Sequence, residues 1–335
     1  MWDVRRSGGF REPVDAGFAC STAGTNGAAS PGLITTITSD NAATSRDGHR
    51  LPASLTFQLS DFSELEIKLD PDQKALWCLM APNGPPSFTP SMIRELNALH
   101  KSIHDFVDSC PGSAPINYYV MGSKIPSIYN MRGDLAFMID AIRNKDREAL
   151  RNYAFGCVEA VCNIWHGFNL PIISICLVEG DALGGGLEGV ICFNLIVAER
   201  GSKMGMPEVL FGSFPGMGAY SFLSRRLNIT AAEKMIRSGN IYKAEDLYEM
   251  GIVDILANPG EGRTVIQKYI HENTRRHRLN VAMLNAKRRA APLELKELQD
   301  ITDIWVETAL DLEEADLRRM EILAKAQIKR LSKTN

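Results

Sequence analysis

An apolar run of strand length leading straight into a triple-glycine turn constrains this chain more than any other feature. Pro171 to Val178 reads as a buried strand, and Gly184, Gly185 and Gly186 follow within a few residues. Glycine lets backbone approach a bound group closely. After the glycines, Leu187 to Val197 is apolar enough to begin as a buried helix. Free N–H groups at such a helix start make an electropositive spot that suits a developing negative oxygen. Glu188, one turn into that helix, faces the same spot. Twenty residues on, Glu208 stands beside a second glycine-containing turn, Lys203 to Glu208. This layout is suited to acid–base chemistry next to a carbonyl.

A second strand-to-helix junction completes the pattern. The strand Ile116 to Met121 leads through a loop to Arg132-Gly133-Asp134-Leu135, and Asp134 caps a helix predicted over 135–142. Together the two turns offer backbone N–H donors from separate segments, as a thioester oxygen needs when it becomes an enolate. Removing water from a 3-hydroxyacyl thioester means taking an α-proton and expelling the β-hydroxyl. One carboxyl must then be ionised while the other carries a proton, a mixed state that two acids close together in a dry pocket can hold. The residues alone do not say which glutamate is acid and which is base. The same pair could activate water against the thioester carbonyl.

The rest of the chain fills in around these turns. With 335 residues, the chain has room for about two domains, or for one large domain with appendages. Residues 1–50 are rich in Gly, Ser, Thr, Ala and Asn and read as a disordered extension, or as a translated stretch ahead of the natural start. Residues 51–258 form an α/β core and 259–335 a C-terminal helical region, with Asn258-Pro259-Gly260 marking the boundary. Strands are predicted at 55–59, 65–69, 75–80, 116–121, 171–178 and 253–256. Helices are predicted near 91–107, 135–142, 149–164, 218–226, 231–238 and 244–250, with helix from 259 to the end. The last helix, with Leu317, Met320, Ala324 and Ile328 on one stripe, packs on the core or on another subunit.

Composition excludes several classes. A net charge of −3 gives no pull toward nucleic acid, and no run of about 18 apolar residues offers a membrane span. Seven cysteines without a pairing pattern point to a reducing cytoplasm. The turn Gly180 to Gly186 lacks the G-x-G-x-x-G spacing of a dinucleotide site. His100 and His104 have ligand-like helical spacing but lack the accompanying glutamate, so no metal or other cofactor is called for. His166 reads as a structural hydrogen-bonding residue. The basic runs at 225–226, 275–278 and 287–289 are solvated helix faces, or a meeting surface for an acidic carrier protein or coenzyme A phosphates. Met121, Met131, Met138, Met204, Met206 and Met217 gather near the turns, where flexible thioethers suit an alkyl chain as well as ordinary packing.

The paired turns RGDL (132–135) and GDALGGGLEG (180–189), with MPEVLFGSFPGMGA (206–219), make residues 60–335 resemble the crotonase (enoyl-CoA hydratase/isomerase) superfamily. That resemblance implies the crotonase fold, a ββα superhelical core with C-terminal helices. It places Gly133 and Gly185 at the oxyanion hole, Glu188 and Glu208 at the two catalytic carboxylates, and a homotrimer as the assembly. The runs at 207–227 and 304–310 look like the diffusible-signal-factor synthases, which make cis-2-unsaturated fatty-acid quorum-sensing signals. That branch implies dehydration of a medium-chain 3-hydroxyacyl group on acyl carrier protein, followed by thioester hydrolysis. It also implies a possible sensor-kinase partner and an acyl site that includes Met131, Leu183, Gly184, Met206 and Trp305. Arg132 departs from the family, which commonly has glycine there. The alternatives are an enoyl-CoA hydratase or isomerase of fatty-acid oxidation, and a non-catalytic crotonase-like binding protein.

Overall fold

Short strands dealt alternately to two sheets explain how distant turns come together. The computed structural model describes residues 62–331, so the predictions for residues 1–50 and for a strand at 55–59 lie outside the described residues. The first sheet contains β1 (Leu65–Asp70), β2 (Ala75–Met80), β3 (Tyr118–Ser123), β5 (Ile173–Val178), β7 (Leu195–Glu199) and β10 (Ile255–Ala257), in the order β1-β2-β3-β5-β7-β10. Only β1 and β2 pair antiparallel; the remaining pairs are parallel. Strands β2 and β5 are buried along their whole length, as continuous apolar runs in a doubly covered sheet should be. The second sheet has four three-residue strands: β4 (Ile128–Asn130), β6 (Asp181–Leu183), β8 (Lys203–Gly205) and β9 (Ile241–Lys243). Here β4, β6 and β8 run parallel and β9 closes the edge antiparallel.

The chain therefore repeats one figure three times: a strand in the first sheet, a strand in the second, then a helical turn. β3 and β4 lead to α2 (Leu135–Arg143), β5 and β6 to α4 (Gly185–Ile191), and β7 and β8 to a 3-10 turn at Glu208–Phe211. Because β4, β6 and β8 are neighbours, the segments following them converge at one end of the second sheet. This places 131–134, 184–188 and 206–208 side by side.

The helices begin where local chemistry allows. Thr89 caps α1 (Pro90–Asp108), its side chain accepting from Met92 N (3.0 Å), and Pro90 at the first position needs no donor. Asp134 caps α2 by accepting from Phe137 N (3.1 Å), and Asp146 caps α3 (Arg147–Trp165) by accepting from Ala149 N. Next come α5 (Ala219–Arg226), α6 (Ile229–Ser238) and α7 (Ala244–Glu249), and after β10 only helices are described: α8 (Gly262–Asn273), α9 (His277–Ala290), α10 (Leu295–Leu310) and α11 (Glu314–Leu331). The stretch 187–197 begins as a buried helix, as expected, but does not continue as one: α4 ends at Ile191, and Leu195–Glu199 returns as β7. Asn194 makes the break, its Nδ2 donating to Trp165 O (3.1 Å) and its Oδ1 accepting from Ser174 N (3.1 Å). Ile196 and Val197, β-branched and fully buried, then suit a central strand.

One large core lies between the sheets and helices α1, α3 and α5, and a smaller one lies under α8, where Ile266 and Ile270 cover the other face of the first sheet. Three arginines in succession tie α2 and α3 to the C-terminal helices: Arg143 to Glu314 (2.7 Å), Arg147 to Glu307 (2.6 Å) and Arg151 to Asp303 (2.6 Å). Such exposed pairs contribute at most about 1 kcal/mol each, so they orient α10 and α11 more than they stabilise them.

Several basic residues act inside the fold. The Arg226 side chain is almost fully enclosed and donates to Ile191 O and Ile252 O, Arg225 pairs with Glu297 (2.8 Å), and Arg288 donates to Trp165 O (2.8 Å). These side chains are structural ties, not a free basic surface. His166 hydrogen-bonds Leu293 O at 2.9 Å, the structural role expected of it. His100 is buried against Tyr119 and Phe168, and burial pushes its ring's proton affinity down to about 3. No helix among the described residues is long and apolar enough to cross a membrane.

Candidate active site

The converging strand ends of the second sheet open into a cleft of about 710 Å³, its open mouth included. Gly133, Gly184, Gly185, Glu188 and Glu208 all line it. The cleft is covered by Met138 and Ile142 of α2, Trp305 and Ala309 of α10, and Met320 and Leu323 of α11.

The two glycine turns meet tightly. A methyl group added to Gly185 would lie 2.8 Å from Gly133 N, so the two backbones pass almost in contact. Neither the Gly133 nor the Gly185 N–H has an acceptor among the described residues. The Gly185 N–H is the first of α4, where no carbonyl precedes it to accept. Gly184 holds φ at +55°, and a side chain there would press on Glu208 Oε1 at 2.8 Å. The turn needs glycine for both conformation and space.

Behind Gly133, Tyr153 fixes the first turn. Its hydroxyl donates to Phe88 O (2.6 Å) and accepts from Asp134 N (2.9 Å). Asn130 Oδ1 accepts from Arg132 N (3.0 Å) just before it. Arg132 is buried, and its guanidinium donates to Ala324 O of α11 (3.3 Å), joining the first turn to the covering helix.

The two carboxyls are held differently. Glu188 is buried at 3% exposure, and its Oε1 accepts from Met217 N (2.8 Å) and Ala219 N (3.2 Å). Burial pushes its proton affinity up, and the two N–H donors pull it part of the way back. Glu208 is only half-buried as a residue, but its Oε2 is shut off from solvent and has no hydrogen-bond partner. Enclosure of the carboxyl, not exposure of the residue, governs its titration. Burial and the facing charge of Glu188 raise Glu208 further above the ordinary glutamate range. Both carboxyls therefore hold protons more tightly than a solvated glutamate does, and they titrate as a pair.

A stability signature follows. A carboxyl whose folded affinity for a proton is raised stabilises the fold least when ionised. Its contribution falls as pH rises from the unfolded value near 4.5 through the folded value. Glu208→Gln removes this dependence. In thermal melts, the difference between variant and wild type is expected to move in the variant's favour from about pH 5 to about pH 8, by about 1.4 kcal/mol per unit of upward shift. A difference constant over that range would contradict the enclosed, charge-facing Glu208.

Most of the residues predicted for the site are brought together. Gly133, Gly185, Glu188 and Glu208 share the cleft, as do Met131, Gly184 and Trp305. Leu183 and Met206 are corrections. Both are buried, at 4% and 1% exposure, and neither forms the cleft wall. Their neighbours Gly184 and Pro207 line the cleft instead. Of the other methionines, Met138 and Met217 line the cleft while Met204 is fully buried. Tyr153 and the donors Met217 N and Ala219 N were not foreseen. Backbone donors carry no residue-type signature, and Tyr153 reads as one more apolar helix position.

Residues 146–301 match the family described as enoyl-CoA hydratase/isomerase. The fatty acid oxidation complex subunit alpha of Pseudomonas aeruginosa is 28% identical over 190 residues, which is 54% of this chain and 26% of that protein. The crotonyl-CoA hydratase of Syntrophomonas wolfei is 26% identical over 174 residues, 50% of this chain and 64% of that protein. The chain thus spans less than two thirds of either relative. Among solved structures, the enoyl-CoA hydratase from Bacillus halodurans superposes with a TM-score of 0.65 at 16% identity, covering 78% of this chain and all of that one.

Proposed function

From a crotonase fold whose residues 146–301 match the enoyl-CoA hydratase/isomerase family, we propose an enzyme that adds or removes water across Cα and Cβ of an acyl thioester. One observation carries the reading: two enclosed carboxyls, both with raised proton affinity, line the same apolar-walled cleft as two glycine N–H groups without acceptors among the described residues. The N–H groups of Gly133 and Gly185 receive the thioester oxygen as it gains enolate charge. Dehydration needs one ionised carboxyl for the α-proton and one protonated carboxyl for the leaving β-hydroxyl, which departs as water. Hydration runs the same transfers backwards. A facing pair with raised proton affinity can hold one proton between two carboxyls, supplying one acid and one base. Gly184 shapes the turn on which both carboxyls look, and Met131 and Trp305 wall the reacting segment.

At finer grain, we propose a medium-chain 3-hydroxyacyl group on acyl carrier protein as substrate. Dehydration is followed by attack of water on the thioester carbonyl, releasing a cis-2-unsaturated acid. The resemblance over 207–227 and 304–310 supports this reading, as do two carboxyls able to activate water beside an oxyanion site. A homotrimer and a sensor-kinase partner come from the same resemblance. The likeness to fatty-acid oxidation proteins favours a second reading, reversible hydration of enoyl-CoA.

The two separate by product. Purified protein is mixed with 3-hydroxyacyl carrier protein and, separately, with 2-enoyl-CoA, and products are followed by mass spectrometry. Free 2-unsaturated acid is the expected result. Reversible hydration without acid release establishes the second reading, and no turnover of either substrate leaves a crotonase-like binding protein.

A further inference from the structure

A single peptide group links α10 to Glu188. The carbonyl of the Gly216–Met217 peptide accepts from the Thr302 hydroxyl of α10 (2.9 Å). The N–H of the same peptide donates to Glu188 Oε1 (2.8 Å), beside the second donor, Ala219 N (3.2 Å). Gly218, at φ +122°, turns the two N–H groups onto one oxygen, a backbone shape that suits glycine alone. Trp305 presses on the loop from the same helix: a methyl added to Gly216 would lie 2.2 Å from its Cγ. A threonine inside a helix commonly returns its hydroxyl to the carbonyl four residues back, as Thr308 does to Ile304 O (2.9 Å). Thr302 is fully buried and reaches Gly216 O instead, 86 residues earlier in the chain.

We infer that Thr302 is a positioning residue: its hydroxyl aims and tunes Glu188 through the Gly216–Met217 peptide. Thr302 does not itself line the cleft, and its effect on catalysis rests on the acyl-thioester reading. A hydrogen bond to a peptide carbonyl draws electron density from the nitrogen end, so the N–H opposite becomes a stronger donor. A stronger donor favours the ionised carboxyl. The same bond fixes the peptide plane, and with it the position of Oε1. Burial raises the proton affinity of Glu188, and the two backbone donors are what lower it again. Thr302 stands behind the shorter of those two bonds. The other titratable or charged groups around Glu188 are Glu208 after β8, Tyr153 and Cys157 of α3, and Arg132 in the cleft wall. Burial keeps the tyrosine and the thiol protonated, the thiol pushed up to about 12.

The test replaces Thr302 with valine, which keeps the shape without the hydroxyl, and with serine, which keeps the hydroxyl. In a Glu208→Gln background only one carboxyl of the pair titrates, and its ionisation is followed by infrared spectroscopy without substrate. Thr302→Val is expected to move the midpoint up by about half a pH unit, the effect of weakening one charged hydrogen bond by a fraction of its strength. Thr302→Ser is expected to restore it. With Glu208 in place, the limb of the kcat/KM profile that Glu188 governs should move to higher pH with valine, and kcat should fall while KM holds. Thr302→Ala carries the test if valine is not accommodated. Thr308→Val controls for loosening of α10 and is expected to leave midpoint and profile in place. A Thr302→Val protein that melts earlier but titrates and reacts as before overturns the inference, leaving the hydroxyl as packing alone. So does a shift that serine does not restore, or an equal shift from Thr308→Val. If the wild type turns over neither 3-hydroxyacyl carrier protein nor 2-enoyl-CoA, the acyl-thioester reading fails, while the infrared midpoint still decides whether Thr302 tunes Glu188.

Discussion

Replacing Glu188 or Glu208 with glutamine is expected to lower turnover of 2-enoyl and 3-hydroxyacyl thioesters by a factor on the order of 10² to 10⁴, with the protein still folded. That is the usual range for removing a positioned general acid or base. Glutamine keeps the shape and, at 188, an oxygen able to accept from Met217 N and Ala219 N. It cannot exchange a proton. Both halves of the reaction need transfer to or from a carboxyl, so each single change should disable the site about as far as the double change. KM should move little, because the proposed holders of the thioester oxygen are backbone N–H groups and not these side chains. Steady-state kinetics on purified variants, with circular-dichroism melts to confirm folding, check this. Near-normal turnover in either variant would remove that residue from the chemistry. The variants should part on stability: Glu208→Gln relieves an enclosed carboxyl whose Oε2 has no partner, whereas Glu188→Gln puts an amide nitrogen into a buried site.

Legibility from sequence followed the length of each element and the reach of each interaction. Strands β2 and β5 were visible because six consecutive buried residues leave an unbroken apolar run. Helices α1 and α3 were visible through their 3.6-residue pattern over 19 residues each. The second sheet was not. Its strands are three residues long, too short for any period to register, yet β4, β6 and β8 are what bring residues 131–134, 184–188 and 206–208 together. The catalytic candidates could still be found, because each sits beside a glycine at a strand end and glycine is informative one residue at a time. What supports them could not. Glu188 is oriented by backbone donors 29 and 31 residues away, and Tyr153 bridges Phe88 and Asp134 across 65 and 19 residues.

A single methyl group at Gly185 tests the other half of the site. Gly185→Ala is expected to cut kcat on the order of 10²- to 10³-fold, the usual effect of losing one oxyanion donor. The added carbon would lie 2.8 Å from Gly133 N and 3.3 Å from the Arg132 carbonyl carbon, both backbone atoms that cannot rotate aside. Either the two turns part or the Gly133 N–H is covered, and in both cases the paired donors no longer aim at one oxygen. Backbone strain is not the cause, since Gly185 begins α4 and is not among the positive-φ glycines; alanine is otherwise favourable in a helix. Stability should fall by about 1 to 3 kcal/mol from the overpacked contact. Gly84→Ala is the control, because nothing lies within 4 Å of its added carbon. Kinetics and thermal melts on both variants decide the matter. If Gly185→Ala destabilises the fold while leaving kcat untouched, the close passage of the two turns is packing alone, and the thioester oxygen must be held elsewhere.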